Sequence, residues 1–207
     1  MLETILVILL VVIPAIVLHE FAHGWAADRL GDPTARLMGR LTLNPVKHID
    51  PVGTILVPGL LYLAFFFGIS KSLFVFGWAK PVPVNFSRLR NPKRDIIWVG
   101  LAGPLMNIVL AFAFAQIAAL GHFSALGEKM LVWSVILNVG LAVFNMLPVP
   151  PLDGSRVVTG LIPASWEKGY LALEPFGFIL VIILLNTGML DSLDPLIYGV
   201  ASLMGLK

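Results

Sequence analysis

The chain has 207 residues, 58% of them hydrophobic and only 13% charged, with a mean hydropathy of +0.92; a soluble domain carries about 25% charged residues. These values exclude an ordinary soluble domain and predict an all-α polytopic membrane protein, with residues 1–207 forming one domain. The net charge of +2 is small and the basic residues lie in loops between apolar runs, which excludes a nucleic-acid surface; the absence of cysteine excludes disulfides, thiol catalysis and Cys-ligated zinc.

In chain order, the first predicted span runs from about Leu2 to Leu30, where Gly31-Asp32-Pro33 supplies a helix stop. It has Glu3 and no basic segment before it, so it reads as a retained span rather than a removable leader. Partial alternation over Arg36 to Pro45 predicts a short strand or hairpin. Thr54 to Ile69 is apolar with Pro58-Gly59 at its middle, and the polar stretch after it holds Pro81-Val82-Pro83-Val84-Asn85, an expected extended edge segment. Ile96–Leu120, Met130–Leu147 and Phe176–Leu190 are further spans, and the tail from Asp191 to Lys207 is amphipathic enough to lie at an interface. The expected architecture is therefore about four transmembrane helices, a re-entrant hairpin and short membrane-associated β segments.

Against that background the charged group His19-Glu20-Phe21-Ala22-His23 is out of place. From Ile5 to Leu18 no residue is charged or strongly polar, so the group is reached through lipid-compatible sequence. H-E-x-x-H on a helix sets two imidazoles one turn apart on one face, spaced to hold one Zn²⁺, with the glutamate beside them as general base. A lone histidine in an apolar helix is more often a satisfied core residue. Three polar side chains on one patch of a membrane helix, however, are costly unless they bind something. For a third ligand, the next glutamate after Glu20 is Glu128, in a short loop, and position 29, where a third histidine would complete another known pattern, is Arg29. The remaining candidates are Asp28, Asp32, His48, Asp50 and Asp153. Asp28 and Asp32 read as capping or loop carboxylates, and His48 and Asp50 as groups facing water. Asp153 follows a span unwound by prolines, from which it can turn into a cavity.

H-E-F-A-H together with N-x-x-P-x-P-P-L-D-G (Asn145 to Gly154) resembles the site-2 protease family of intramembrane zinc metalloproteases. Gly39-Arg40-Leu41-Thr42-Leu43-Asn44-Pro45 with His48-Ile49-Asp50-Pro51 resembles its compact prokaryotic branch, which lacks PDZ and nucleotide-sensing domains. The resemblance spans about Ile13 to Thr159. It implies one Zn²⁺ per chain held by His19, His23 and Asp153, Glu20 as catalytic acid/base, and Asn145 holding the substrate or polarising its carbonyl. It also implies transmembrane protein substrates and residence in a prokaryotic cell membrane.

Sharing one zinc requires His23 and Asp153 at one depth. That parity is restored if Thr54 to Ile69 is a re-entrant hairpin broken at Pro58-Gly59. Ten of the fourteen Lys and Arg residues lie in 25–50 and 70–95, which puts both loops, and the opening of the site, on the cytoplasmic side. Asn107, in Ala102-Gly103-Pro104-Leu105-Met106-Asn107, fits a substrate or hydration role and tight helix packing equally well. Edge-strand capture of substrate by Gly39–Asn44 or Pro81–Asn85 would expose the carbonyls of an unwound helix. A zinc-dependent intramembrane endopeptidase is the favoured reading. A catalytically inactive scaffold binding transmembrane partners is second, and a zinc or proton transporter third. Nothing in the sequence sets an oligomeric state.

Overall fold

A segment that is apolar on every side has no water to bond, and only a helix satisfies its own N–H and C=O groups there. The computed structural model, which describes residues 6–68, 77–186 and 192–206, is built of helices and turns, with no β-strand among those residues. Among the described residues, three helices are long and apolar enough to cross a membrane: Leu9–Arg29, Pro92–Ala119 and Ala125–Asn145. The α-helical part of the first, Ile13–Arg29, is α1; then come α2 (Val57–Phe66), α3 (Pro92–Ala119), α4 (Ala125–Asn145), α5 (Asp153–Leu161), α6 (Ala164–Leu171), α7 (Gly177–Asn186) and α8 (Asp194–Leu203).

Two prolines inside apolar runs are absorbed in the same way. Proline has no N–H and its ring crowds the carbonyl four residues back. The chain widens into a π turn over Ile8–Val12 ahead of Pro14, and into another over Pro51–Leu56 ahead of Pro58. Pro58-Gly59, expected to break its segment, therefore lies within a continuous helical run, Pro51–Phe66. The chain turns later, at Gly68, whose φ is +72°. By residue 78 it is back beside the start of that run: the Trp78 N–H donates to the Gly53 carbonyl at 3.1 Å, and the Thr54 hydroxyl donates to the Trp78 carbonyl at 2.8 Å.

The strand or hairpin expected over Arg36 to Pro45 does not form, because side-chain caps compete with strand pairing. The Asp32 carboxylate accepts the Thr34 N–H at 3.1 Å and its hydroxyl, starting a single helical turn, Thr34–Leu37. Asn44 then caps a 3₁₀ turn, Pro45–His48, by accepting from the Val46 N–H at 3.0 Å. Pro81–Asn85 has no neighbouring strand among the described residues either: two of its amides end on carboxylates, Val82 N–H on Glu20 at 2.7 Å and Asn85 N–H on Asp32 at 2.6 Å.

α3 is the hub, packed against α1, α4 and α5. Its contacts use small residues that let backbones approach, as membrane helices require: Ala111 and Ala115 are buried with Val135 and Val139 of α4 and Ala201 of α8. The C-terminal tail, expected at an interface, thus packs into this core through α8. Large apolar side chains face outward instead, among them Val109, Phe112, Ile117 and Trp133. Of the expected span Phe176–Leu190, the described part is Phe176 and the 10-residue α7, about half of the roughly 20 residues a crossing needs; residues 187–190, residues 2–5 of the first span and residue 69 of the Thr54 segment lie outside the described residues.

Candidate metal centre

His19 and His23 sit on consecutive turns of α1 and face α3, both buried. Each ring is held at Nδ1 by an acceptor. His23 Nδ1 donates to the Val99 carbonyl at 2.7 Å, and His19 Nδ1 to the Asn107 side-chain oxygen at 2.7 Å. The orientation of Asn107 follows from a chain that ends on a backbone group: Asn138 Nδ2 donates to the Ser134 carbonyl at 2.8 Å, so Asn138 Oδ1 accepts from Asn107 Nδ2 at 3.1 Å, and Asn107 Oδ1 turns to His19. Asn107 and Asn138 are fully buried.

With both Nδ1 atoms protonated, the neutral imidazoles present lone pairs at Nε2. These two atoms lie 3.0 Å apart, and Asp153 Oδ2 lies 3.1 Å from one and 3.2 Å from the other. Asp153 opens α5, immediately after the proline-rich turn that ends α4. Its Oδ2 is buried and has no hydrogen-bond donor, although it is within ion-pair distance of both rings. Three lone-pair donors pointed at one another in a buried space repel unless a cation lies between them. Two imidazoles and a carboxylate, each ring backed by an outer acceptor, are a donor set that suits zinc with an open fourth position. The space is kept by Gly103 of α3: a β-carbon there would overlap Nε2 of both rings, standing 2.6 Å from that of His19.

Glu20, between the two histidines, is held from outside α1. Its Oε2 accepts the Val82 N–H at 2.7 Å. Pro81 and Pro83 have no N–H, so Val82 is the one donor in that tripeptide.

The other carboxylates and the histidine weighed from sequence are engaged elsewhere. Asp28 pairs with Arg36 at 2.9 Å, Asp32 closes the turn to Thr34 and Asn85, and Asp50 caps the Pro51 helical run through the Val52 and Gly53 amides. His48 Nε2 bonds to the Thr42 carbonyl at 2.9 Å. Asn145 donates its amide nitrogen to the Leu141 carbonyl of its own helix at 2.9 Å. Sequence reasoning passed over Asn138. Its signal was a carboxamide in the middle of an apolar span, where a polar side chain must find a partner.

Residues 121–184 match the model of peptidase family M50. Over 194 residues the chain is 38% identical to YwhC of Bacillus subtilis, covering 88% of this chain and 80% of that protein. The chain belongs to peptidase family M50. Rip2 of Mycolicibacterium smegmatis is 31% identical over 181 residues, covering 84% of this chain and 64% of Rip2. MJ0392 of Methanocaldococcus jannaschii is 28% identical over 104 residues, covering 48% of this chain and 30% of its own length. All three relatives are named as zinc metalloproteases. The M50 chain is accordingly a zinc metalloprotease, and its three converging donors are a group that can bind the metal. No solved structure gives a significant match.

Proposed function

We propose that the protein is an intramembrane endopeptidase of the site-2 type that hydrolyses peptide bonds in or near the transmembrane segments of other membrane proteins, residues 1–207 acting as one catalytic domain. The observation that carries this reading is the placement of His19, Glu20 and His23 on a helix long and apolar enough to cross a membrane, with Asp153 brought to the same point. In this reading His19, His23 and Asp153 hold the zinc. When bound, zinc acidifies a water and polarises a carbonyl. Glu20, with Oε2 committed to Val82, takes the proton of the attacking water on Oε1 and passes it to the leaving amine. Asn107 is assigned to positioning His19 rather than to contacting substrate, since both ends of its amide are occupied. Asn145 gives one Nδ2 hydrogen to the Leu141 carbonyl and keeps the second for a substrate carbonyl.

The protein resides, in this proposal, in a prokaryotic cell membrane with the site opening towards the cytoplasmic face. The bond between Trp78 and Gly53 supports a segment that enters and leaves on one side, with its turn beyond Phe66 rather than at Pro58-Gly59. The positive loops on both flanks support the same orientation. An inactive scaffold is not favoured, because Glu20 is intact and aimed by a specific bond.

The test compares the wild type with Glu20→Gln and with a His19→Ala, His23→Ala double variant, each co-expressed with a single-span substrate. Glu20→Gln should keep about one zinc per chain and lose cleavage by about 10²- to 10⁴-fold; the double variant should lose the metal. Near-wild-type cleavage by Glu20→Gln, or full zinc retention by the double variant, rejects the assignment.

A further inference from the structure

On the side of α1 and α3 open to lipid, an apolar groove of about 540 Å³ runs between the two helices, lined by Phe21 and Trp25 of α1 and by Trp98, Ala102, Met106 and Val109 of α3. Trp25, Trp98 and Val109 are each about half exposed or more. α1 ends where α3 begins, so the groove has a defined mouth. There, Arg29 follows Trp25 by four residues on α1, and Arg94 precedes Trp98 by four on α3, so that each arginine shares a helix face with its tryptophan. The Arg29 guanidinium lies 5.1 Å from the centre of the Trp25 ring. Both arginines are exposed, and neither has a carboxylate partner among the described residues.

We propose that this groove binds one anionic phospholipid, with an acyl chain between α1 and α3 and the phosphate between Arg29 and Arg94. Three features commit the groove to that occupant. Tryptophans at the mouth match the headgroup level, where an amphipathic ring sits with one end wet. Two unpaired guanidiniums complement a phosphate, for which the planar fork of arginine is suited. From Trp98 to Val109 the groove descends roughly 16 Å along the helix, about one leaflet of a hydrocarbon core some 30 Å thick. A transmembrane helix of another protein needs a contact across both leaflets. Ala102, on the floor, is followed in the chain by Gly103, so the bound chain would lie behind the wall of the metal site.

The test needs no protease activity, so its failure is distinct from failure of the proposed reaction. Native mass spectrometry of the full chain in detergent, with phosphatidylglycerol or phosphatidylcholine added separately, should show about a thirtyfold preference for the anionic lipid, as expected for two basic side chains at a charged headgroup. Arg29→Gln with Arg94→Gln should remove that preference, and the charge-matched pair Lys47→Gln with Lys168→Gln should leave it. A photoreactive p-benzoylphenylalanine at Val109, in phosphatidylglycerol vesicles, should give a lipid adduct. Equal binding of the two lipids, a preference that survives the arginine variants, or a crosslinked dimer or protein adduct in place of the lipid adduct overturns the proposal.

Discussion

Two parts of this molecule are held in opposite ways. Where α1, α3, α4 and α5 meet, polar side chains are buried and anchored in series, from Ser134 through Asn138 and Asn107 to His19. The helical run Pro51–Phe66 has only Gly53 buried; Phe66 and Phe67 are each 69% exposed, and the run is tied at its base by Trp78 and Thr54. In the first region, burial of polar groups defines a unique arrangement, because each unpaired alternative carries a desolvation penalty. In the second, the outward side chains meet solvent or lipid, and little besides helix formation and the base contacts constrains them. Apolar composition therefore tells where a chain goes, and the few polar residues within it tell what is fixed.

Substitutions that break this contrast should rank in a definite order. Gly103→Ala should be the most damaging to metal binding, since the added methyl occupies the space between the two Nε2 atoms. Zinc content by elemental analysis should fall from about one per chain towards zero while circular dichroism stays that of the wild type; full zinc content would show that the helices separate to make room. Asn107→Leu should weaken zinc affinity by about 10- to 100-fold through loss of the His19 support, measured by competition with a chelator. Asn138→Leu should follow it with a smaller loss. In this cysteine-free chain, Lys80→Cys, placed after the chain has returned beside Gly53, and Thr42→Cys can be labelled with an impermeant thiol reagent from either face. Labelling of Lys80→Cys from the face opposite Thr42→Cys would show that the segment crosses fully and would end the same-side proposal. At the small end, Phe66→Ser should shift stability by within about 0.5 kcal/mol in detergent, the range of a surface substitution, as read by thermal unfolding.

What could be read in the sequence and what could not divide along physical lines. The long helices and the pairing of His19 with His23 belong to patterns of burial and ligand spacing, which a sequence displays directly, whereas Asp153, far along the chain, was reached only through the resemblance of its proline-rich motif. The π turns ahead of Pro14 and Pro58 were not legible: a proline announces a lost hydrogen bond, but not whether the chain kinks, stops or widens to absorb it. The strand expected from alternation over Arg36 to Pro45 lost to the side chains of Asp32 and Asn44, whose local bonds were worth more than a pairing that had no partner. Asn107 stood open between packing and a substrate role, and only the direction of its amide, fixed by Asn138, separates these from the support of a ligand. Gly103 shows its purpose only when the histidines facing it are in place.

The bond from Val82 to Glu20 joins a carboxylate in the helix to a main-chain amide some sixty positions away. A donor that belongs to the backbone is present whatever side chain stands at that site, so nineteen of the twenty amino acids would preserve it. Proline alone deletes it, and proline already flanks the donor on both sides. The aim of Glu20 is thus insulated from ordinary sequence drift at position 82 and exposed to changes in the path of the chain. Its inheritance depends on the route from Arg40, whose guanidinium grips the carbonyls of Lys80 and Pro81 at 3.0 and 3.2 Å, more than on the identity of any residue it touches.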